Sequence, residues 1–261
     1  VSEHHVELAQ DVVKMAVAEG ASAAECVVAE GWEFSVIVRM RAVERLKEAG
    51  SKGVGLRVLL GQRSASAYTS DWSREGLREL VRRALEAARF TSEDSAAGLP
   101  DPEELGCVDQ DLGLFSPDVL QLSVDEKIAW ARRAEEAALA YDSRIANSEG
   151  AEFTSHTGVH AFANSLGFAS GYRTSSVGLS VMPVAREGDS MERDYWYDNK
   201  RKLSALESPE EIGKRAAERA VRRLHPRKVK TERVPVVFEA RVARSLISHL
   251  FEAINGEAVY K

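Results

Sequence analysis

Cysteine is scarce, with Cys26 and Cys107 the only two in 261 residues. They lie far apart with no paired spacing, which excludes a disulfide framework and a zinc knuckle and suits a reducing, cytoplasmic compartment. Long apolar runs are missing too. None approaches the roughly twenty residues that a membrane span needs, and the start Val1-Ser-Glu-His-His lacks the basic-then-apolar pattern of a secretory signal. A cytoplasmic protein with no membrane partner is expected, although a chain that opens without Met need not start at the native N-terminus. Excess positive charge is absent: 35 Lys and Arg stand against 41 Asp and Glu, a formal charge of -6. Such a chain has no general attraction to nucleic acid or anionic lipid, and no nucleic-acid partner is expected. One basic run, from Arg222 to Arg233, suits a helix end and a solvated linker better than a phosphate site.

What is present is ordinary globular composition, 44% hydrophobic and 29% charged, in a length that allows one large domain or two ordinary ones. Residues Glu3 to Glu19 carry apolar side chains at roughly helical spacing. Strands are expected at Glu25–Glu30 and Glu33–Arg39, separated by Gly31, then at Gly55–Leu60 and Ser64–Ser70. A helix after Asp71 buries Leu77, Leu80, Val81, Ala84, Leu85 and Ala88. A stretch rich in Pro, Gly, Asp and Glu, residues 96–122, reads as a connection. The capping boxes Ser123-Val-Asp-Glu126 and Ser208-Pro-Glu-Glu211 start two further helices. Between them, strands are expected at Glu152–Phe162, Ala169–Thr174, Val177–Ala185 and Met191–Tyr197.

The order helix, four strands, helix thus occurs twice. The expectation is an α+β protein of two similar halves, 1–95 and 123–225, each a mainly antiparallel four-stranded sheet with its helices on one face. Residues 226–261 read as a linker and the start of a C-terminal domain, with a strand at Val234–Phe238 followed by a helix from Arg241 to Ile254.

Four groups invite a chemical reading. On the last helix, Ser245, Ser248, His249 and Glu252 share a face and suggest a Ser-His-Glu relay. A helix interior, however, offers no oxyanion hole, so a polar row opposite the stripe Val242, Leu246, Leu250 and Ile254 is the preferred reading. His156 and His160 fall on one face of a strand about 13 Å apart at the usual rise of about 3.3 Å per residue, too far for one metal unless Gly158 bends the chain. His4 and His5 read as a solvated terminus. In Arg193-Asp-Tyr-Trp-Tyr-Asp198, alternation puts Arg193, Tyr195 and Tyr197 on one face, where they either contact a substrate peptide bound alongside the sheet or fill the core. Gly53-Val-Gly55 lacks the Lys-Ser/Thr and following helix of a phosphate loop.

Gly53-Val-Gly-Leu-Arg-Val-Leu-Leu60, Ser64–Ser70, Arg89–Asp94 leading to Gly98-Leu-Pro-Asp101, Asn147-Ser-Glu-Gly150, Ala163–Phe168, Arg193-Asp-Tyr195 and Ile254–Tyr260 together resemble the TldD/PmbA peptidase family over almost the whole chain. Active members of that family place an H-E-x-x-x-H motif on the last helix. Here its positions hold Ser248, His249 and Ala253, and Ala253-Ile-Asn-Gly256 favours the PmbA (TldE) branch. The resemblance implies a partner subunit without its own metal or catalytic residues, in a complex where a TldD-type homologous subunit supplies zinc or a similar metal and peptides or unfolded polypeptides are the substrate. Homologues are associated with maturing microcin-type peptides and degrading antitoxins. The family also carries a label connecting it with modulation of DNA gyrase, which implies the alternative of an interaction module with no peptidase activity. Members extend beyond the equivalent of Lys261, so the chain is expected to be incomplete.

Overall fold

The computed structural model describes residues 3–106 and 110–260; Cys107, one of the two cysteines, lies outside them. Residues up to His225 form one compact unit and those from Pro226 a second. In chain order the first unit contains α1 (Glu3–Ala18), β1 (Ala23–Arg39), β2 (Ala42–Leu60), β3 (Arg63–Thr69), α2 (Arg74–Phe90), α3 (Val124–Leu139), β4 (Ile145–Asn164), β5 (Ala169–Glu187), β6 (Ser190–Arg193), β7 (Trp196–Lys200) and α4 (Pro209–Arg222). Serine hydroxyls cap three of the helices: Ser73 accepts from the Gly76 N–H, Ser123 from Glu126 and Ser208 from Glu211. At Ser123 the Glu126 carboxylate returns a bond to the Ser123 N–H, so that capping box is complete. At Ser208 only the hydroxyl half is made.

All strand pairings are antiparallel, and they build one seven-stranded sheet in the order β3-β2-β1-β4-β5-β6, with β7 also on β5. This corrects the expectation of two four-stranded sheets. The error lies in reading glycine and serine as strand breaks. Gly31 sits opposite Gly158 within an unbroken ladder that runs from Glu25–Asn164 to Val38–Ala151, so the two expected strands are one. Likewise Ser175 continues β5, because its hydroxyl donates to the Arg201 carbonyl at 2.7 Å and accepts from the Ser116 N–H at 2.9 Å, leaving no polar cost to its burial. In the opposite sense, the single strand expected at Met191–Tyr197 is divided into β6 and β7.

Side chains alternate along a strand, and the buried ones keep one parity. Ala24, Cys26 and Val28 of β1 join Val54, Leu56 and Val58 of β2 beneath α1 and α2. Further along the same face, Phe34, Val36 and Val38 join Phe153, Leu179 and Val181 beneath α3 and α4. Two cores therefore share one sheet, and between them Trp32 is half exposed. The buried face of α2 is the stripe read from the sequence. Burial pushes the Cys26 thiol up to about 12, which keeps it protonated and inert. The solvated reading of His5 is corrected: it is buried, its Nε2 is 2.9 Å from Glu30 Oε2, and its ring meets Trp72 edge-on. Helices α3 and α4 approach so closely at Gly213 that a Cβ there would lie 2.2 Å from the Ala134 carbonyl oxygen.

Beside the second core a carboxyl side chain is fully buried. The β1–β2 hairpin turns through two residues, Met40 and Arg41, both with positive φ, 47° and 68°. This is the type I′ combination that favours Asn-Gly and strains other residues. The fully buried Glu135 of α3 holds it: its carboxylate accepts from the Met40 N–H at 2.8 Å and from the Arg41 N–H at 2.7 Å.

In the second unit, residues 226–239 take no regular structure, followed by α5 (Ala240–Ile254) and α6 (Gly256–Tyr260). The strand expected at Val234–Phe238 is not formed, since a strand needs a partner to satisfy its backbone groups and none pairs with it among the described residues. Consequently the expected packing of the α5 stripe on that strand is also absent; Val242, Leu246, Leu250 and Ile254 are all at least half exposed.

Two outcomes follow from this packing. Glu135→Ala should lower the unfolding free energy by about 2–4 kcal/mol, the loss of two hydrogen bonds to a charged acceptor, as measured by denaturant titration. By contrast Leu250→Ala, at 57% exposure, should change stability by no more than about 0.5 kcal/mol, where a buried leucine would cost about 2–5 kcal/mol.

Candidate functional site

The polar row on α5 does not assemble a relay. The Ser245 hydroxyl donates to the Val242 carbonyl at 2.7 Å and the Ser248 hydroxyl to the Arg244 carbonyl at 3.3 Å. Both serines are thus engaged with their own helix and not with His249. At the positions where a metal-binding helix would present ligands, the chain offers a hydroxyl, one imidazole and the methyl of Ala253. That donor set does not fit zinc, which takes three or four N, S or O ligands. Among the described residues no group of three or more His, Cys, Asp or Glu is placed to hold a metal.

More chemistry is collected on the face of the sheet that carries neither core. Strand alternation places Val27, Gly31 and Glu33 of β1 there, with His156, Gly158, His160 and Phe162 of β4, and Tyr172, Thr174 and Ser176 of β5. Gly31, Gly158 and Thr174 form one cross-strand row. The two glycines are buried although no core covers them, because imidazoles lean over them. A Cβ on Gly158 would lie 3.2 Å from the Nε2 of His156, 3.2 Å from the Nε2 of His160 and 2.9 Å from the Thr174 hydroxyl. A Cβ on Gly31 would lie 3.1 Å from the His156 ring. This corrects the sequence estimate of the histidine separation. The pairing register runs evenly through Gly158, and the side chains reach inward from both sides. The available signal was a glycine midway between two histidines of the same parity.

Beyond His160 the same face deepens into a concavity of about 850 Å³, whose walls include Val27, Phe162, Phe168, Tyr172, Leu112 and Phe115. His160 stacks on Tyr172, its cross-strand neighbour, with centroids 5.1 Å apart, and the Arg173 guanidinium lies over the Phe115 ring at 3.6 Å. Two cations, Lys200 and Arg201, border the other side of His156. Lys200 is paired with Asp198 at 2.7 Å, while Glu33, across the ladder from His156, lies 3.7 Å from Lys47.

At the far end of this face, Tyr197 pairs with Ser180 of β5, and Tyr195 and Tyr197 stack with centroids 6.0 Å apart. Arg193 is ion-paired with Glu149. On the other side of β7, Trp196 packs on the second core beneath Arg215 and Arg219. The Gly53-Val-Gly55 run lies inside β2, where it cradles no phosphate, and the basic run after α4 is exposed, with Arg223 reaching Glu192 and Asp194.

Comparison with known proteins shows which family the chain resembles. Residues 24–88 match the PmbA/TldA metallopeptidase domain 1 and residues 117–224 the PmbA/TldA metallopeptidase central domain. The chain is 41% identical over 238 residues to the metalloprotease PmbA of Escherichia coli O157:H7, covering 91% of this chain and 52% of that protein. It is 37% identical over 249 residues to a PmbA homologue of Haemophilus influenzae, covering 95% and 54%. Among solved structures, a proposed modulator of DNA gyrase from Bacteroides thetaiotaomicron superposes with a TM-score of 0.89 at 27% identity, over 97% of this chain and 57% of that one. TldE of Thermococcus kodakarensis shares the fold, with a TM-score of 0.70 at 17% identity over 82% and 47%. The chain spans about half the length of the curated relatives it matches. With both domain profiles in order along one sheet, and PmbA relatives aligned over nine-tenths of its length, this chain belongs to the PmbA/TldD metallopeptidase family.

Proposed function

We propose that this chain acts as a PmbA/TldE-type subunit of a cytoplasmic TldD/PmbA peptidase complex, without a metal site of its own. The observation that carries this reading is the donor set on α5: Ser248, His249 and Ala253 stand where ligands are needed, and the Ser248 hydroxyl is already engaged with the Arg244 carbonyl. In this reading a TldD-type homologous subunit supplies the metal, and this chain shapes the space in which a peptide or unfolded polypeptide is held. Arg193, Tyr195 and Tyr197 are assigned to substrate contact, on the strength of a stacked tyrosine pair with Tyr195 half exposed. A second reading, an interaction module with no peptidase context, draws on the gyrase-modulator description of the Bacteroides neighbour. Cleavage of peptides only when this subunit is mixed with a metal-bearing homologue supports the first; cleavage that is indifferent to its presence supports the second.

Two measurements bear on the subunit's passive chemistry. Elemental analysis after zinc loading and desalting should find no stoichiometric ion in this chain, and one tightly held zinc per chain would refute the assignment. His249→Ala should leave peptide cleavage by the reconstituted complex within a few-fold of the unmodified rate. Removal of an acid-base residue typically costs about a hundredfold or more, so loss of that size with folding and association intact would place catalysis on α5.

A further inference from the structure

We propose that the open edge of β5, residues 170–173, takes an extended peptide as an added strand. The aromatic concavity beside that edge receives one bulky apolar side chain of the peptide, and the acidic start of α1 favours a basic residue next to it. This rests on the peptide-handling reading above and adds to it a site and a class of sequence.

The edge is defined by what pairs with β5. On one side β4 runs alongside residues 169–185. On the other, β6 pairs with residues 184–187 and β7 with 177–181. Before them, the Ser175 N–H donates to the Leu114 carbonyl at 2.9 Å, so it points away from β4. In an antiparallel ladder the main-chain groups of alternate residues turn to opposite sides, and the register with β4 is even along this stretch. Arg173 and Gly171, two and four residues before Ser175, therefore turn their N–H and C=O groups the same way. Among the described residues no strand meets them there. A row of open main-chain groups is a template for another strand.

The two flanks of the edge decide which strand fits. Side chains of an added strand alternate between the faces of the sheet. Those opposite Ser170 or Tyr172 fall on the side of the concavity of about 850 Å³, whose lining includes all four residues of the edge. Phe162, Phe168 and Tyr172 give it aromatic walls, which suit a Phe or Leu side chain and offer little to a small polar one. A side chain opposite Gly171 falls on the other face. There a hollow of about 350 Å³ is lined by Glu3, Val6 and Glu7 of α1 together with residues 169–171 of β5, and two carboxylates favour a Lys or Arg. Arg173, the one cation of the edge, lies over the Phe115 ring at 3.6 Å. Main-chain pairing is indifferent to sequence, so selectivity comes from an apolar residue with a basic neighbour.

The test is fluorescence anisotropy of the full chain with a labelled heptapeptide of Ser and Thr that carries Phe and Lys at adjacent central positions. It should bind about tenfold or more tightly than the same peptide with Ser in place of Phe, and exchanging its Lys for Glu should weaken it at low salt. N-methylation of the amides along one edge of the peptide should abolish binding, while N-methylation along the other edge leaves it intact. Ser170→Trp, which fills the concavity, and Arg173→Pro, which removes an N–H that the β4 ladder does not use, should each weaken binding about tenfold or more. Should Arg173→Pro fail to fold, the N-methylated peptides carry the test of pairing. Equal binding of the Phe and Ser peptides overturns the side-chain site, and N-methylation with no edge preference overturns the added strand. Self-association of the chain that Arg173→Pro abolishes gives the edge to a second copy and overturns the proposal. Absence of peptide binding overturns it too, and the subunit assignment then stands or falls on cleavage by the reconstituted complex.

Discussion

Everything in the first unit hangs on the antiparallel ladder between β1 and β4, continuous from Glu25–Asn164 to Val38–Ala151. The two strands come from different halves of the sequence, yet each contributes side chains to both cores. Hydrogen bonds along such a ladder are individually modest in net terms, but register is not: slipping by one residue would turn every buried side chain to the other face. The hydrophobic parity of Val28, Val36, Ala161 and Phe153 therefore locks two helix pairs onto one sheet at once. Glu135 reinforces the lock where the hairpin reverses, by supplying an acceptor for two amides that the turn leaves pointing at α3.

Placing all four helices' apolar stripes over one face has a consequence for the other. That face needs no apolar filling, and around the Gly31–Gly158 pair it carries Ser, Thr, His and small residues in place of the valines and leucines opposite. The gap between the two cores and the glycine row lie at the same level of the sheet, since Trp32, half exposed in that gap, is the residue after Gly31. A stretch of sheet relieved of packing on both faces is free to carry polar chemistry, and the converging imidazoles stand there.

The helices were legible in the sequence because each announces itself locally. Ser123 with Glu126, Pro209 after Ser208, and the apolar stripe of α2 act through neighbours three or four residues away. Strand continuity was not legible, because it is decided by residues more than a hundred positions distant: nothing near Gly31 announces Gly158. The first half of β2, Ala42–Lys52, went unread for a related reason, being almost wholly exposed and charged, an edge whose pairing with β1 is its only order. Glu135 left a signal that was not used, a carboxylate among the buried positions Ala131, Ala134 and Ala138 of α3. Of the candidate site, the absent ligands on α5 were visible as letters, while the histidine convergence needed side-chain directions that strand rise alone does not give.

On α5 an apolar row and the motif positions occupy different residues. Its apolar side chains recur at 242, 246, 250 and 254, along one face of the helix. Positions 248 and 253 are five residues apart, about 140° around an ideal helix at 3.6 residues per turn. Two ligands so disposed can meet at one ion only at the helix flank, with further donors brought by another segment, so the ion depends on both. A chain that holds Ser248 and Ala253 there keeps the stripe intact, because neither position belongs to it. The apolar pattern and the positions of the family motif thus fall on different residues of the same helix.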